Sequence, residues 1–367
     1  MARVGETAGV SAGEDDLHCQ VLVLKCMAGV MDTMVLKCAV KLQIFDAIHR
    51  HSDRPISLPD LAAALSAQRD HVSALRRVMR YLANMRLIDL QHLDTKGRNG
   101  EAAGEHYSLS PAAATYLRVE SERSFAPLFT LDEKMMAPLY ALDACVTSDR
   151  GPDVAASELL GRESFYAMLE RDPEVGKTFD SSMTGTVMRI AESILDGCPA
   201  VFEGVGTLVD VGGGEGLMAA AIARAFPAVK CVVLDLPHVV EKAPERNGVE
   251  FVAGDMFVSL PQADAMLFTR ILHNWSDNKV LEILKRCKEA FDGHNGKVIV
   301  VDIVIKDVED NENMQSVKLF YDMMMMVNFG GKERTELEWR SILLEAGFTN
   351  CKFTPLMTLE HVIVARP

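Results

Sequence analysis

A run of apolar residues that ends in a cluster of glycines constrains the fold of this chain more than any other feature. Residues 208–211 have the pattern of a buried strand and lead directly into residues 212–216, where four of the five residues are glycine. Residues 217–226 then continue with a helical pattern. A backbone without side chains can turn tightly and lie against a ligand, so this strand-to-helix turn is typical of a nucleotide-like cofactor site.

The glycine spacing is compatible with two kinds of cofactor. Gly214, Gly216 and Ala219 fit the dinucleotide rule of Gly, one residue, Gly, two residues, and then Gly or Ala, which is found in NAD-dependent oxidoreductases. Gly212, Gly214 and Gly216 also alternate after Asp210, a denser pattern that suits the approach of an amino acid and a ribose. A plain tight turn would need fewer glycines.

Two further strand-like runs end in polar residues that suit an adenosine. Asp235 follows the run 230–234, where an acidic side chain can accept hydrogen bonds from the hydroxyls of a ribose. Asp255 and Met256 follow the run 249–253 and suit the amino edge and the face of an adenine ring. Asp255 alone could instead cap a helix.

His273 follows a fourth apolar run, residues 264–272. This position is the carboxyl end of a predicted parallel strand, where open sheets bind their ligands. An imidazole can remove a proton near neutral pH, although a histidine in this position could also cap a helix or lie at the surface.

Strand-like runs alternate with helical patterns after residue 207, which predicts an α/β fold with a parallel sheet and helices on both faces. The runs are 207–211, 230–234, 249–253, 264–272 and 297–304. The last two runs, 350–354 and 361–365, are separated by too few residues for a crossover helix. We therefore predict that they pair as antiparallel neighbours.

The amino-terminal part has the pattern of a winged helix. Residues 17–50 have apolar positions at helical spacing, a capped helix start is predicted at Ser57, and another helix is predicted over 70–85. Two short strand-like runs then flank the loop 94–106 and predict a hairpin.

A winged helix makes a DNA-binding regulator an alternative function. Arg76, Arg77 and Arg80 lie on the predicted third helix. The formal net charge of −14 opposes approach to a phosphate backbone, so we expect no nucleic-acid partner.

The sequence also predicts the compartment. The eight cysteines lack the paired short spacing of a zinc or dithiol site, and residues 1–16 lack the features of a signal peptide. The next apolar stretch is interrupted by Lys25, Asp32 and Lys37, so we expect no membrane partner. These features predict a cytosolic protein.

Five motifs in order resemble the plant small-molecule O-methyltransferases that use S-adenosylmethionine. They read DVGGGEG, LDLPHV, AGDMF, ILHNWSD and GGKERT, and the resemblance covers nearly the whole chain. It implies a Rossmann-like catalytic domain over 201–367, a winged-helix dimerisation domain over 1–120 that forms a homodimer, and a helical connector over 121–200 that lines the substrate site.

The resemblance also implies a mechanism. His273 is the general base that deprotonates a phenolic hydroxyl, and Asp302 and Glu333 are the acidic residues beside it. No metal is required. Because Asp302 stands where a glutamate is also found in the family, the sequence is more similar to the flavonoid and benzylisoquinoline alkaloid branches than to the caffeate branch.

The remaining site residues are carried over from the same resemblance. For the cofactor they are Gly212, Gly214, Asp235, Leu236, Asp255, Met256, Thr269 and Arg270. Thr269 departs from the family pattern, which often has lysine there, and Arg270 is one place later. For the aromatic acceptor they are Phe179, Met183, Asn274, Trp275, Met324 and Asn328.

Overall fold

The chain divides into two compact units, residues 1–130 and 131–367. A computed structural model describes residues 11–51, 54–67, 71–93, 104–121, 123–130, 136–151, 154–291, 293, 296–306 and 311–367. This division has one boundary, after residue 130, whereas the sequence predicted two boundaries, after residues 120 and 200.

The first unit combines helices with a small antiparallel sheet. Its helices are α1 (Ser11–Lys41), α2 (Ile44–His49), α3 (Leu58–Ala64), α4 (Val72–Asn84), α5 (Pro111–Tyr116) and α6 (Ala126–Thr130). Its strands are β1 (Ile56–Ser57), β2 (Ile88–Leu93) and β3 (Gly104–Leu109), in the order β1-β3-β2.

Two local predictions for this unit are confirmed. The side chain of Ser57 accepts a hydrogen bond from the backbone N–H of Asp60 at 3.2 Å, so it caps α3 as predicted. Strands β2 and β3 form the predicted antiparallel hairpin, with Ile88 opposite Leu109. Residues 94–103 of the predicted loop lie outside the described residues.

Helix α1 is unusually apolar for a helix whose side chains are mostly exposed. By length and composition alone, Asp16–Lys41 is long and apolar enough to cross a membrane, with a mean hydropathy of 1.6. Only 6% of the most apolar window is buried within this chain. The charged residues noted in the sequence therefore do not lower the hydropathy of α1 below that of a membrane span, and the absence of a membrane partner stays a prediction.

The second unit has a large sheet covered by helices. Its helices are α7 (Leu142–Thr147), α8 (Ala156–Leu159), α9 (Phe165–Arg171), α10 (Pro173–Gly197), α11 (Leu217–Ala225), α12 (Pro237–Val240), α13 (Asp277–Ala290), α14 (Glu312–Phe329) and α15 (Glu336–Glu345). Short 3₁₀ helices span Ala137–Ala141, Pro199–Phe202 and Leu272–Asn274. The strands are β4 (Thr207–Val211), β5 (Lys230–Asp235), β6 (Val249–Ala253), β7 (Ala265–Thr269), β8 (Lys297–Ile305), β9 (Arg334–Thr335), β10 (Asn350–Pro355) and β11 (Glu360–Arg366).

The predicted topology of this sheet is confirmed. The strand order is β10-β11-β8-β7-β4-β5-β6, and β9 also pairs with β8. Strands β8, β7, β4, β5 and β6 are parallel, whereas β10 pairs with β11 in antiparallel register as expected from the short segment between them. Strand β7 is shorter than the predicted run 264–272, because the backbone of Arg270 turns into a left-handed conformation with φ 54°.

Both faces of the sheet are buried, which explains the continuous apolar strand patterns. Along β7, Met266 and Phe268 pack into the core on one face, while Ala265 and Leu267 pack into the core on the other. The chain order reverses between β4 and β7, so a crevice opens at the carboxyl ends of these two strands. The glycine turn and His273 follow these two strand ends.

Candidate active site

The glycine turn after β4 is shaped for close approach of a ligand. Gly212, Gly214 and Gly216 all have φ between 54° and 71°, a conformation that residues with side chains rarely adopt. A Cβ atom at Gly212 would lie 2.8 Å from the Cδ1 atom of Ile271. A side chain at Gly212 would therefore be strained by its backbone conformation and would displace the side chain of Ile271, two residues before His273.

Asp235 is brought against the glycine turn. Its carboxylate accepts hydrogen bonds from the backbone N–H groups of Gly214 at 2.8 Å and Leu236 at 2.7 Å. Burial raises the pKa of Asp235 above its ordinary value, and the two backbone bonds oppose that shift. Each carboxylate oxygen keeps a second acceptor position, so the group can still receive ribose hydroxyls.

Asp255 and Met256 lie at the end of the neighbouring strand, β6. The Asp255 side chain accepts a hydrogen bond from the backbone N–H of Phe257 at 2.9 Å, so it caps a turn rather than the start of a helix. Met256 is partly buried against the core. Leu236 is 42% exposed and precedes α12.

Asp210 is a buried carboxyl group near the end of β4, two residues before Gly212. It is 1% exposed, it accepts a hydrogen bond from the backbone N–H of Ala219, and its Oδ2 atom has no partner among the described residues. Burial raises the pKa of Asp210 to about 7.

This raised pKa predicts a pH-dependent stability. Between an unfolded-state pKa of about 3.9 and the folded value of about 7, the folded chain holds a proton that the unfolded chain releases. The contribution of Asp210 to the free energy of unfolding is complete below pH ~4 and is lost as the pH rises through 7. Between pH 5 and pH 7.5 we expect the free energy of unfolding to fall by roughly 2 kcal/mol less in Asp210→Asn than in the wild type. Denaturant unfolding at the two pH values measures this difference. Parallel profiles for the two proteins would contradict this expectation.

His273 lies in the 3₁₀ turn after β7 and is 3% exposed. Its Nδ1 atom is 2.7 Å from Oε1 of Glu333 and 3.9 Å from Oδ1 of Asp302. An ionised Glu333 can only accept, so Nδ1–H donates to it and Nε2 is left unprotonated in the neutral ring. The structure therefore brings the three predicted catalytic residues together and bonds Glu333, rather than Asp302, to the imidazole.

The two carboxyl groups beside His273 are fully buried. Both oxygens of Asp302 and Oε2 of Glu333 have no hydrogen-bond partner within the described part of the chain. Burial raises the pKa of Asp302 to about 7, His273 opposes this shift, and Glu333 adds to it. Buried carboxyl oxygens without a hydrogen-bond partner, next to a perturbed pKa, are typical of functional sites.

The loop GGKERT supports the His273 turn through its backbone and through Arg334. The backbone N–H of Lys332 donates to the carbonyl oxygen of His273 at 2.9 Å. The fully buried Arg334 donates to the carbonyl oxygens of Leu272 at 3.2 Å and Trp275 at 2.7 Å, which flank His273 on either side. Sequence reasoning did not assign Arg334 a role, although its place in the motif was a signal.

The predicted acceptor residues fall into separate groups. Phe179 packs on Phe165, with ring centroids 5.2 Å apart, and Phe165 in turn packs on Phe329 at 4.7 Å. Met183 is half-buried on α10. Trp275 packs instead on Phe257, with ring centroids 4.8 Å apart, and both partly buried rings lie against the main core.

Asn274 and Asn328 each donate a side-chain hydrogen bond to another residue of the chain. The side-chain N–H of Asn274 donates to the hydroxyl of Tyr166 at 2.9 Å. Asn328 donates to the carbonyl oxygen of Met324, one turn earlier on α14, at 3.1 Å. Tyr166 was not singled out in the sequence, because no pattern joins residues 108 positions apart.

A cavity of about 430 Å³ lies beside this aromatic group. Its lining includes Ser157, Arg162, Phe165, Met168, Arg171 and Asn328. Ser157 Oγ and Asn328 Oδ1 are buried and have no hydrogen-bond partner among the described residues. No group of three or more metal-ligating side chains is found in the described part of the chain.

Thr269 and Arg270 occupy the end of β7. The hydroxyl of Thr269 is buried without a described partner, and the guanidinium of Arg270 is ion-paired with Glu360 at 2.9 Å. Arg270 was predicted to bind the cofactor, but in this structure its side chain binds Glu360.

Comparison with known proteins identifies the family. Residues 140–349 match the O-methyltransferase domain family, and residues 24–119 match the O-methyltransferase dimerisation domain. (RS)-norcoclaurine 6-O-methyltransferase of Thalictrum flavum subsp. glaucum is 36% identical over 96% of this chain and 98% of that protein. Eugenol O-methyltransferase of Ocimum basilicum is 35% identical over 96% of this chain and 97% of that protein.

The structural comparison agrees with this assignment at the level of the fold. The structure of human N-acetylserotonin methyltransferase in complex with SAM has a TM-score of 0.78 and 21% identity over 99% of both chains. Membership of the O-methyltransferase family decides the choice of cofactor that the glycine spacing left open, in favour of S-adenosylmethionine over NAD. The chain belongs to the O-methyltransferase family and is an S-adenosylmethionine-dependent O-methyltransferase.

Proposed function

We propose that this enzyme methylates a phenolic hydroxyl of a plant specialised metabolite and that His273 is the general base. The observation that carries this proposal is the buried contact of 2.7 Å between His273 Nδ1 and Glu333 Oε1 at the carboxyl edge of the sheet. This contact fixes the orientation of the ring and leaves Nε2 available as a base.

The bound cofactor supplies a methyl group that the positive charge of its sulfonium has already activated. The protein must then align the acceptor and remove one proton. A phenol has a pKa of about 10, so a positioned imidazole is a suitable base near neutral pH. Nε2 of His273 takes the phenolic proton, and Glu333 stabilises the resulting imidazolium through the hydrogen bond to Nδ1.

The residues around the glycine turn fit the cofactor. The turn lacks side chains where close approach is needed, and Asp235 presents a half-buried carboxylate at the next strand end. We assign Asp235 to the ribose hydroxyls and the Gly212–Gly216 backbone to the amino acid portion. Asp255 and Met256 are assigned to the adenine.

We assign the acceptor to the cavity beside Phe165. Two features connect this cavity to the base. Phe165 lines the cavity, and its neighbour Tyr166 accepts a hydrogen bond from Asn274, the residue after His273. Asn328 also lines the cavity and lies three residues before Gly331, which is packed against the His273 turn. Asn328 Oδ1 is a buried acceptor without a described partner, so it favours an acceptor molecule that carries a second hydroxyl.

The test is a panel of phenolic acids, flavonoids and benzylisoquinoline alkaloids with labelled S-adenosylmethionine. We expect O-methylation of at least one aromatic compound, and a lower rate with the analogue that lacks its second hydroxyl. In Asn328→Ala that difference between the two compounds shrinks, whereas in Ser181→Ala, an exposed position on α10, it does not. Exclusive N-methylation, or no activity on any aromatic hydroxyl, would contradict the proposal.

The exposed apolar surface of α1 supports a homodimer as part of the same proposal. Leu22, Val23, Leu24 and Met27 are between 59% and 72% exposed within one chain. Because the matched dimerisation domain, residues 24–119, includes most of α1, a second copy of the chain is the proposed partner of this surface. Light scattering after size exclusion in detergent-free buffer should give the mass of a dimer. We also expect the enzyme to be cytosolic. Recovery only with membranes would count against both expectations.

A further inference from the structure

Arg270 has a strained backbone at the entrance to the catalytic turn. It follows the last residue of β7 and has φ 54°, the left-handed region that disfavours residues with a side chain. Its backbone N–H donates to the carbonyl oxygen of Val301 at 2.9 Å, so this conformation is tied to the strand that carries Asp302. Such strain persists only where the surrounding contacts hold it.

The side chain of Arg270 supplies those contacts. Its Nη1 atom is 2.9 Å from Oε1 of Glu360, and the two side chains are 10% and 4% exposed. The guanidinium also lies over the ring of Tyr321, 4.6 Å from the ring centroid. Arg270 is thus held between β11 and α14.

The Arg270–Glu360 pair lies beside the carboxyl groups of the catalytic cluster. Glu360 is opposite Ile303 on β8, and the next residue of β11 is opposite Asp302. Burial lowers the pKa of Arg270, but electrostatic interaction with Glu360 and then with Tyr321, Glu333 and Asp302 outweighs it and raises the pKa above its ordinary value. The guanidinium therefore remains charged.

Other charged groups around the cluster have partners of their own. Arg334 is ion-paired with Asp277 at 2.9 Å, and Asp322 on α14 accepts the backbone N–H of Glu333. Buried Lys318 on α14 donates to the carbonyl oxygen of Val304. Two titratable groups are next to the Arg270–Glu360 pair: Tyr321, whose ring lies against Arg270, and His361, which follows Glu360 on β11.

We propose that Arg270 is a positioning residue for His273, which holds the catalytic turn through Glu360 and balances the negative charge of the buried cluster His273, Asp302 and Glu333. The inference rests on the proposed role of His273 as the base. Removal of the Arg270 cation leaves Glu360 uncompensated, so the cluster becomes more negative and holds its proton to a higher pH. Removal of the Glu360 charge has the opposite effect.

The test compares pH profiles of kcat/KM in the full-length enzyme. In Arg270→Met the acidic limb is expected to move to higher pH by about one unit. In Glu360→Gln it is expected to move to lower pH, and in the double variant Arg270→Met/Glu360→Met it returns close to the wild-type position. Arg270→Lys keeps the charge and should keep the limb.

The matched control is Arg340→Met. Arg340 is also ion-paired, with Glu336, and also lies over an aromatic ring, that of Phe353 at 4.7 Å, but it is 47% exposed. We expect no shift of the limb in this variant. A limb that stays in place in both Arg270→Met and Glu360→Gln, or moves the same way in both, would overturn the proposal.

One further measurement, the rate of His273→Ala, keeps the outcomes distinct. If Arg270→Met does not fold, the opposite shift in Glu360→Gln and the restored limb in the double variant still decide the question. If His273→Ala loses its rate while the limb of the Arg270 and Glu360 variants does not move, only the positioning role fails. If His273→Ala keeps its rate, the base assignment and the positioning role fail together.

Discussion

Replacement of His273 by alanine is expected to lower turnover by roughly 10²–10⁴-fold, the usual contribution of a positioned base. The ring is buried, bonded to Glu333 at 2.7 Å, and free at Nε2 to take the phenolic proton. Without it, the hydroxyl must ionise unaided next to two buried carboxyl groups. Cofactor affinity should change little, because the residues proposed above to hold the cofactor lie at or just after the ends of β4, β5 and β6.

Single-turnover rates with labelled donor and calorimetric titration with S-adenosylhomocysteine measure the two quantities separately. His92→Ala is a suitable control, because His92 is exposed on β2 in the first unit. We expect this control to keep the wild-type rate. Near-normal turnover in His273→Ala would refute the mechanism, and a large loss of cofactor affinity would show that the variant disturbs more than the base.

The fold of the second unit could be predicted from the sequence because both of its signals are local. Apolar runs such as 207–211 and 297–304 mark strands buried on both faces, and the glycine turn marks the first crossover. The antiparallel pairing of β10 and β11 followed from the short segment that joins them. Local patterns of this kind also located His273 at the correct strand end.

The parts that could not be predicted depend on contacts between distant residues. Strand β7 ends early because Arg270 turns toward Glu360, 90 residues later in the chain. Trp275 follows His273 but packs into the core on Phe257, and Asn274 finds Tyr166. No periodicity distinguishes a side chain that faces the acceptor from one that faces the core.

The catalytic carboxyl groups show the same limit on a finer scale. The family resemblance placed both Asp302 and Glu333 near His273, and both carboxyl groups lie beside the imidazole in the structure. Which of them bonds the imidazole depends on a difference of about one ångström between their distances to Nδ1, 3.9 Å for Asp302 on β8 and 2.7 Å for Glu333 in the GGKERT loop. The sequence contains no information on that distance.

Substitution of Gly331 by alanine is expected to damage both activity and stability. An alanine Cβ at this position would lie 2.1 Å from the carbonyl oxygen of His273 and 2.6 Å from the backbone carbon of Asn274. Backbone atoms cannot rotate away, so the loop that carries Glu333 must move away from the His273 turn. That movement strains the hydrogen bond from Lys332 to His273 and the contact between His273 and Glu333.

We expect the rate to fall by about 10²-fold, the effect of misplacing a reacting group by roughly 1 Å. Overpacking of this kind destabilises by about 1–3 kcal/mol, which lowers the melting temperature by several degrees. Gly197→Ala provides the matched control. Gly197 is the last residue of α10, its φ is not positive, and a Cβ there would have no described atom within 4 Å.

Gly197→Ala should therefore keep the wild-type rate and gain up to about 1 kcal/mol of stability, since alanine restricts the unfolded chain more than glycine does. The same chemical change, a single methyl group, thus has opposite expected effects at the two positions. Thermal melting and single-turnover rates of the two variants measure this contrast. Equal melting temperatures and equal rates would show that the GGKERT loop is not packed against the His273 turn, and Glu333 would then lose its assigned role as well.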